Sequence, residues 1–320
     1  MKAIEYTEYG TPDVLRCIDV ATPAPQHDEV LIKVRAASVN ALDWRLMGGK
    51  PAIARMFAGG LRKPKPTRPG RDVAGEVEAV GSHVTRFKPG DAVFGACLGT
   101  FADYACARED KLALKPANVA FEDAATVPVA GSTALQALRD KGGIRPGHKV
   151  LVDGASGGVG TFAVQLAKAF GADITAVCST RNVEAARAMG ADHVIDYSRE
   201  DFTQNGQRYD LILAANAHRS IFDYRSALNP DGIYVMAGGG GVQMLQGMLL
   251  GPLLSLLGRR KLRFVMAKIT PADLEVLGEL LATGKIVPVI DRRYPLRDVA
   301  EAIRYVSDGH ARGKVVITME

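Results

Sequence analysis

The sequence predicts an α/β protein of two domains, a small β-rich domain interrupted by a doubly wound parallel sheet. Three observations carry this expectation. A chain of 320 residues is too long for one ordinary hydrophobic core and comfortable for two. Its first third consists of short β-prone runs, such as 30–36 and 74–80, separated by Pro and Gly turns. From Lys149 the rhythm changes to strand and helix in alternation, the pattern of a parallel sheet covered by helices on both faces.

Taken in order, the parallel strands are expected at 149–152, 174–178, 193–196, 210–214, 232–237 and 262–267. Six is the count of a full dinucleotide-binding sheet. Between them, 159–170 and 183–189 repeat Ala, Leu and Val at helical spacing. After the last strand come a helix at 271–283, an extended run at 287–291, a helix at 296–307 and a strand at 314–319. This tail starts no new strand–helix–strand unit, so it is assigned to the first domain. The expected division is 1–128 with 270–320 for the discontinuous domain and 129–269 for the inserted one.

Composition narrows the class of partner. Apolar residues make up 47% and charged residues 23%, with no low-complexity tract, which describes a globular chain. The net charge is +5, and the basic residues cluster only at Arg62-Lys63-Pro64-Lys65 with Arg68 and at Arg259-Arg260-Lys261 with Arg263. No aromatic-interleaved basic stripe accompanies them, so no nucleic acid is expected, and a polyphosphate-bearing small molecule is the simpler partner. Cys17, Cys97, Cys106 and Cys178 are scattered, without a CxxC pair or a histidine at ligand spacing, and read as reduced thiols. Met1 to Tyr6 shows no secretory pattern, which makes the cytoplasm the expected compartment.

The most apolar stretch, 242–257, is broken by Gln243, Gln246, Gly247, Gly251 and Pro252 and falls short of the roughly 20 residues of a membrane span. No transmembrane segment is expected. The stretch reads as a core helix with a solvated basic end. Its alternative is a lid over an apolar substrate or a peripheral contact with acidic lipid.

Strand 149–152 runs directly into Gly154-Ala155-Ser156-Gly157-Gly158-Val159-Gly160, where a helix starts. Backbone N–H groups and a helix N-terminus above a strand suit a pyrophosphate, so this turn predicts a bound dinucleotide. Dinucleotide sites that prefer NAD place an acid at the end of the next strand, for the adenine ribose 2′-hydroxyl. Here that position reads Cys178-Ser179-Thr180-Arg181-Asn182. A carboxylate would repel a 2′-phosphate, whereas Arg181 can pair with one through charge-assisted hydrogen bonds. The expected cofactor is NADPH. Arg181 also has a plainer reading, as a solvated residue at a helix start.

With these residues read, the chain resembles the medium-chain dehydrogenase/reductase superfamily, in its zinc-independent quinone oxidoreductase branch. The resemblance is carried by Ala37-Ser38-Val39-Asn40 with Asp43-Trp44, by Pro69-Gly70-Arg71-Asp72-Val73-Ala74-Gly75, and by Phe87-Lys88-Pro89-Gly90-Asp91. It continues through the run from Pro128 to Leu138, the glycine turn, Gly190-Ala191-Asp192-His193-Val194-Ile195-Asp196-Tyr197, and Gly309-His310-Ala311-Arg312-Gly313-Lys314. It implies a GroES-like catalytic domain beside a Rossmann domain, with the nicotinamide in the cleft between them, and a homodimer. Carried onto matching positions, it puts Ser156, Gly157, Gly158 and Val159 at the pyrophosphate and Ser179 and Arg181 at the ribose phosphate. Tyr197 would lie near the adenosine and Thr133 near the nicotinamide.

Zinc-dependent members of that superfamily have a cysteine ligand where this chain has Asn40, and a His-Glu pair where it has Arg71-Asp72. Catalytic zinc needs about three nitrogen, sulfur or carboxylate ligands, which an amide and a guanidinium do not supply. No metal is therefore expected, and the chemistry left is hydride delivery to an already electrophilic carbon, in a quinone or an enone. Charge then develops on a carbonyl oxygen and calls for hydrogen-bond donors. Asn40 is the candidate donor, with Asp43 and Trp44 as candidate pocket residues; fixing a loop, capping a turn and packing are their plainer roles. Relatives of this type often carry a pocket tyrosine a few residues on, where this chain has Met47, Gly48, Gly49 and Lys50, so water is a candidate proton source. Two rival readings stay open: a reductase of simple aldehydes or ketones, and a non-catalytic NADPH-binding sensor or partner module.

Overall fold

A computed structural model describes residues 1–49, 55, 60, 62–65, 67–256 and 258–319. Contacts divide the chain into two units, 1–129 with 269–284 and 290–320, and 130–268 with 285–289.

The first unit begins with β1 (Lys2–Glu5), β2 (Arg16–Asp19), β3 (Glu29–Val39), α1 (Ala41–Gly48), β4 (Asp72–Val80), β5 (Ala92–Ala96), β6 (Tyr104–Arg108), β7 (Leu112–Leu114) and α2 (Phe121–Ala125). The chain leaves it within α3 (Pro128–Gln136) and returns for α8 (Pro271–Ala282), β14 (Ile290–Pro295), α9 (Val299–Ser307) and β15 (Lys314–Thr318). One sheet runs in the order β14-β15-β3-β4-β5-β7, with β6 also paired to β3, and β1 pairs with β2 in a two-stranded sheet. Along β3 the alternation is direct: Val30, Ile32 and Val34 are buried while Lys33 and Arg35 face out. Past a register shift between Val34 and Ala36 the strand turns small, and Ala36, Ala37, Ser38 and Val39 are all buried. Val73, Val77, Phe101, Ile303, Val315 and Ile317 join Ile32 and Val34 in the core, each worth about 1.5–3 kcal/mol of transfer free energy.

The second unit holds β8 (Lys149–Asp153), α4 (Gly158–Ala169), β9 (Asp173–Cys178), α5 (Val183–Ala188), β10 (His193–Asp196), β11 (Tyr209–Ala214), α6 (Ile221–Ser226), β12 (Leu228–Met236), α7 (Gly241–Leu256) and β13 (Lys261–Phe264). Its strands form one parallel sheet in the order β10-β9-β8-β11-β12-β13. Renumbered within the unit this is 3-2-1-4-5-6, the order that opens a crevice beside the first strand. Val150, Leu151 and Val152 are buried on both faces, as a central parallel strand requires.

Two expectations are corrected. Residues 285–289 group with the second unit, not the first, because the buried Gln165 side chain on α4 donates to Val287 O at 3.0 Å and accepts from Val287 N at 2.7 Å. The apolar stretch read as a core helix forms α7, yet of that helix only Gly247 and Gly251 are fully buried. Val242, Leu245, Met248, Leu249, Leu253 and Leu256 are exposed. Leu257 lies outside the described residues. No helix among the described residues is long and apolar enough to cross a membrane.

Candidate functional site

In the second unit, β8 ends at Asp153 and the chain turns through Gly154, whose φ of +79° favours glycine. Gly157 N–H bonds back to Gly154 O at 3.1 Å, and Gly157 becomes the N-cap of α4 with extended backbone and no side-chain cap. The first-turn N–H groups of α4 have no intrahelical partner, and Ser156, Gly157, Gly158 and Val159 are all half-buried there. A Cβ at Gly157 would meet only Gly154 O, at 3.5 Å, whereas one at Gly160 would lie 2.1 Å from that same oxygen. The turn is thus tight where helix packs on strand and open where a phosphate would sit, which fits a dinucleotide.

The neighbouring strands carry the remaining cofactor candidates. Ser179 follows β9 and accepts from Asn182 Nδ2 at 3.1 Å. Arg181 is exposed, with no hydrogen bond or ion pair among the described residues. Tyr197 follows β10, is half exposed, and its N–H bonds to Cys178 O at 3.1 Å, which fixes it beside the end of β9. Thr133 lies apart from these, buried on α3. Sequence reasoning missed the buried group beneath the turn. Asp153 accepts from Tyr224 Oη at 2.5 Å and lies 3.5 Å from His218 Nδ1, and burial raises the Asp153 carboxyl above its ordinary range. An acid closing an otherwise apolar strand was the available signal.

In the first unit, a buried polar centre joins the ends of β3, β4 and β15. Asp72 Oδ2 accepts from Ser38 Oγ at 2.6 Å, from Asn40 Nδ2 at 2.8 Å and from Lys314 Nζ at 3.3 Å, while Asp72 Oδ1 accepts from Val129 N at 2.8 Å. Lys314, only 2% exposed, also donates to Asn40 Oδ1 at 2.8 Å and Val39 O at 3.2 Å. Asn40 Nδ2 also donates to Ser38 O at 3.4 Å. Ser38 and Lys314 were not singled out from sequence. Both stood within the runs that carry the resemblance, Ala37-Ser38-Val39-Asn40 and Gly309 to Lys314, with nothing in the sequence to pair them.

Asp43 is buried and accepts from Asn40 N at 2.7 Å and Gly70 N at 3.3 Å, so both of its oxygens tie down backbone. Burial pushes its carboxyl up to about 6, against the lowering effects of the Asn40 N–H bond and the Arg71 and Lys314 charges. Trp44 is half-buried, packs against the first unit's core, and carries Arg45 over its ring at 5.2 Å. Asp43 and Trp44 therefore serve the fold directly. Met47 is buried, and Lys50 lies outside the described residues. Burial pushes the Cys97 thiol up to about 12 and the Cys106 thiol up to about 11, which leaves both protonated at neutral pH.

Comparison with known proteins places this geometry. Residues 26–117 match the alcohol dehydrogenase GroES-like domain, and residues 189–317 match the family described as zinc-binding dehydrogenase. The chain is 34% identical to the chloroplastic quinone-oxidoreductase homolog of Spinacia oleracea, covering 99% of this chain and 98% of the relative. It is 37% identical to the 2-methylene-furan-3-one reductase of Solanum lycopersicum, over 99% of this chain and 79% of the relative. It is also 35% identical to the mitochondrial NAD(P)H oxidoreductase RTN4IP1 of Mus musculus, over 100% and 89%. Among solved structures, the quinone oxidoreductase from Coxiella burnetii superposes with a TM-score of 0.88 at 29% identity, covering 100% of this chain and 99% of that one. The Escherichia coli quinone oxidoreductase complexed with NADPH superposes with a TM-score of 0.83 at 25% identity, over 99% and 100%.

These names correct one expectation. The spinach relative is chloroplastic and the mouse relative mitochondrial, so the lack of a secretory pattern at Met1 does not assign this chain to the cytoplasm. Fold, site geometry and full-length similarity agree, and the chain belongs to the medium-chain dehydrogenase/reductase superfamily of NAD(P)-dependent oxidoreductases, in its quinone oxidoreductase branch.

Proposed function

We propose that the protein is a zinc-independent reductase that uses NADPH to deliver a hydride to a quinone or to the C=C bond of an α,β-unsaturated carbonyl. The observation that carries this reading is the polar centre at Asn40. Its donor set is a carboxamide and a carboxylate already paired with the Lys314 ammonium, which does not fit a catalytic zinc. Such a centre suits an acceptor that is electrophilic without a Lewis acid. The relatives named as a quinone oxidoreductase homolog and a furanone reductase support that substrate class.

NADPH supplies the hydride when bound. The first-turn N–H groups of α4, with Ser156, Gly157, Gly158 and Val159, would hold its pyrophosphate. Ser179 and Arg181, which has no partner among the described residues, would hold the 2′-phosphate, with Tyr197 as the candidate for the adenosine and Thr133 for the nicotinamide. The NADPH complex of the Escherichia coli neighbour supports the cofactor. Asn40 stabilises the oxygen on which charge develops, and the hydrogen in its long 3.4 Å contact with Ser38 O is the one released to that oxygen. Water completes the protonation. The homodimer implied by resemblance would bury the outer stripe of α7, where Val242, Leu245, Leu249 and Leu253 are exposed.

Following NADPH absorbance against quinones, enones and simple ketones tests the proposal. Oxidation with the first two classes and little with ketones is the expected result. Tight NADPH binding with no turnover on any acceptor would replace it with a sensor role.

A further inference from the structure

Asn40 is held between a group that can only donate and a group that can only accept. Lys314 Nζ, with three hydrogens and no lone pair, faces Oδ1 at 2.8 Å, and the Asp72 carboxylate faces Nδ2 at 2.8 Å. A carboxamide reads almost the same after a half-turn about its last bond, so its orientation is settled by its neighbours. Here the half-turn would put the amide nitrogen against an ammonium and the amide oxygen against a carboxylate. The partners themselves are fixed. Lys314 spends its three hydrogens on Asn40, Asp72 and Val39 O, and Asp72 is anchored by Ser38 Oγ and Val129 N. With Ser38 and Asp72 at zero exposure and Lys314 at 2%, water is not available to take over either role.

We propose that Lys314 is a positioning residue for hydride transfer: its ammonium locks the Asn40 carboxamide so that an N–H, and not the carbonyl oxygen, is offered to the acceptor. The same contact polarises the amide, because a cation at Oδ1 draws charge from Nδ2 and strengthens its hydrogens as donors. A flipped Asn40 would present a lone pair to a developing oxyanion and oppose the reaction. The inference rests on the proposed reductase function for its kinetic consequences, while the amide orientation itself stands apart from any activity.

The test compares Lys314→Met, Lys314→Arg, Asn40→Ala and the Asn40→Ala/Lys314→Met pair. Lys314→Met is expected to lower kcat by about 10²-fold, the effect of losing one oxyanion donor, with acceptor KM and NADPH affinity little changed. Lys314→Arg, which keeps a donor-only cation, should recover part of the loss, and the double variant should be no slower than Asn40→Ala alone. Losses that multiply in the double variant would overturn the proposal, as would full kcat in Lys314→Met. Should Lys314→Met fail to fold because Asp72 is left unpaired, Asp72→Asn/Lys314→Met removes both charges and is read the same way.

A second readout needs no turnover. The side-chain NH2 signals of Asn40, identified by their loss in Asn40→Asp, should be resolved and slow to exchange in the wild type and should broaden or merge without Lys314. Unchanged signals in a folded Lys314→Met or Asp72→Asn/Lys314→Met protein would overturn the inference. If the wild type reduces no acceptor at all, the functional reading fails, and these signals alone decide the role of Lys314.

Discussion

Asp43 sets two opposing effects against each other, and burial prevails over the hydrogen bond from Asn40 N–H. Its carboxyl titrates near 6 when folded, against 3.8 for the ordinary side chain, so between about pH 4 and 6 the folded protein holds a proton the unfolded chain has released. Stability from this group is therefore complete below pH 4 and lost as pH rises through 6, a change on the order of 3 kcal/mol. Denaturant midpoints measured from pH 4 to 7 should fall in the wild type relative to Asp43→Asn; parallel curves would count against it. Arg181 makes a simpler case, since the described residues give it no other partner. Arg181→Ala should weaken NADPH binding by about ten- to a hundredfold, the usual weight of a charged hydrogen bond, and leave NADH binding unchanged. Equal losses for both dinucleotides would refute the 2′-phosphate role. The position of Arg181 just past β9 was legible in the sequence by a short count from the glycine turn. Lys314 was not, because it meets Asp72 across 242 residues and only sheet topology brings them together.

At the scale of elements, the turn between β8 and α4 separates two kinds of glycine. Alanine at Gly160 would push a methyl against Gly154 O, which α4 can relieve only by lifting off the strand. Gly160→Ala should destabilise the protein by about 1–3 kcal/mol and abolish NADPH binding. Alanine at Gly157 fits the protein alone, so Gly157→Ala should keep the wild-type melting temperature and lose cofactor affinity. Calorimetry with a parallel NADPH titration checks both, and a large drop in melting temperature for Gly157→Ala would contradict the open-cradle reading. All six parallel strands were legible from apolar runs and punctuation, with edges that moved. β12 begins at Leu228, ahead of the expected 232, because Pro230-Asp231-Gly232 reads as a turn but is absorbed by a register shift opposite Tyr209 and Leu211. The character of α7 was not legible either. A sequence reports that a helix is apolar, and only its packing through Gly247 and Gly251 against Met236 and Leu262 leaves the leucines outside.

For the molecule as a whole, the proposed homodimer is tested at that outer stripe. Light scattering after size exclusion should give twice the chain mass for the wild type and the single-chain mass for Leu245→Glu/Leu249→Glu. A wild type that stays monomeric yet pellets with anionic vesicles would point to a lipid surface instead. The two-unit plan was legible from the change of rhythm near Lys149, whereas the return of 285–289 to the second unit, where Gln165 bonds Val287, is marked by no periodicity. The interrupted plan also has a consequence for the order of events on the ribosome. The second unit, 130–268 with 285–289, is fully synthesised while β15, which lies between β14 and β3, has yet to emerge. Chains are made from the N-terminus, so a nascent protein has its phosphate cradle before Lys314 exists to reach Asn40. On the proposed roles, affinity for the dinucleotide would come first, and competence to react would be the last property the growing chain acquires.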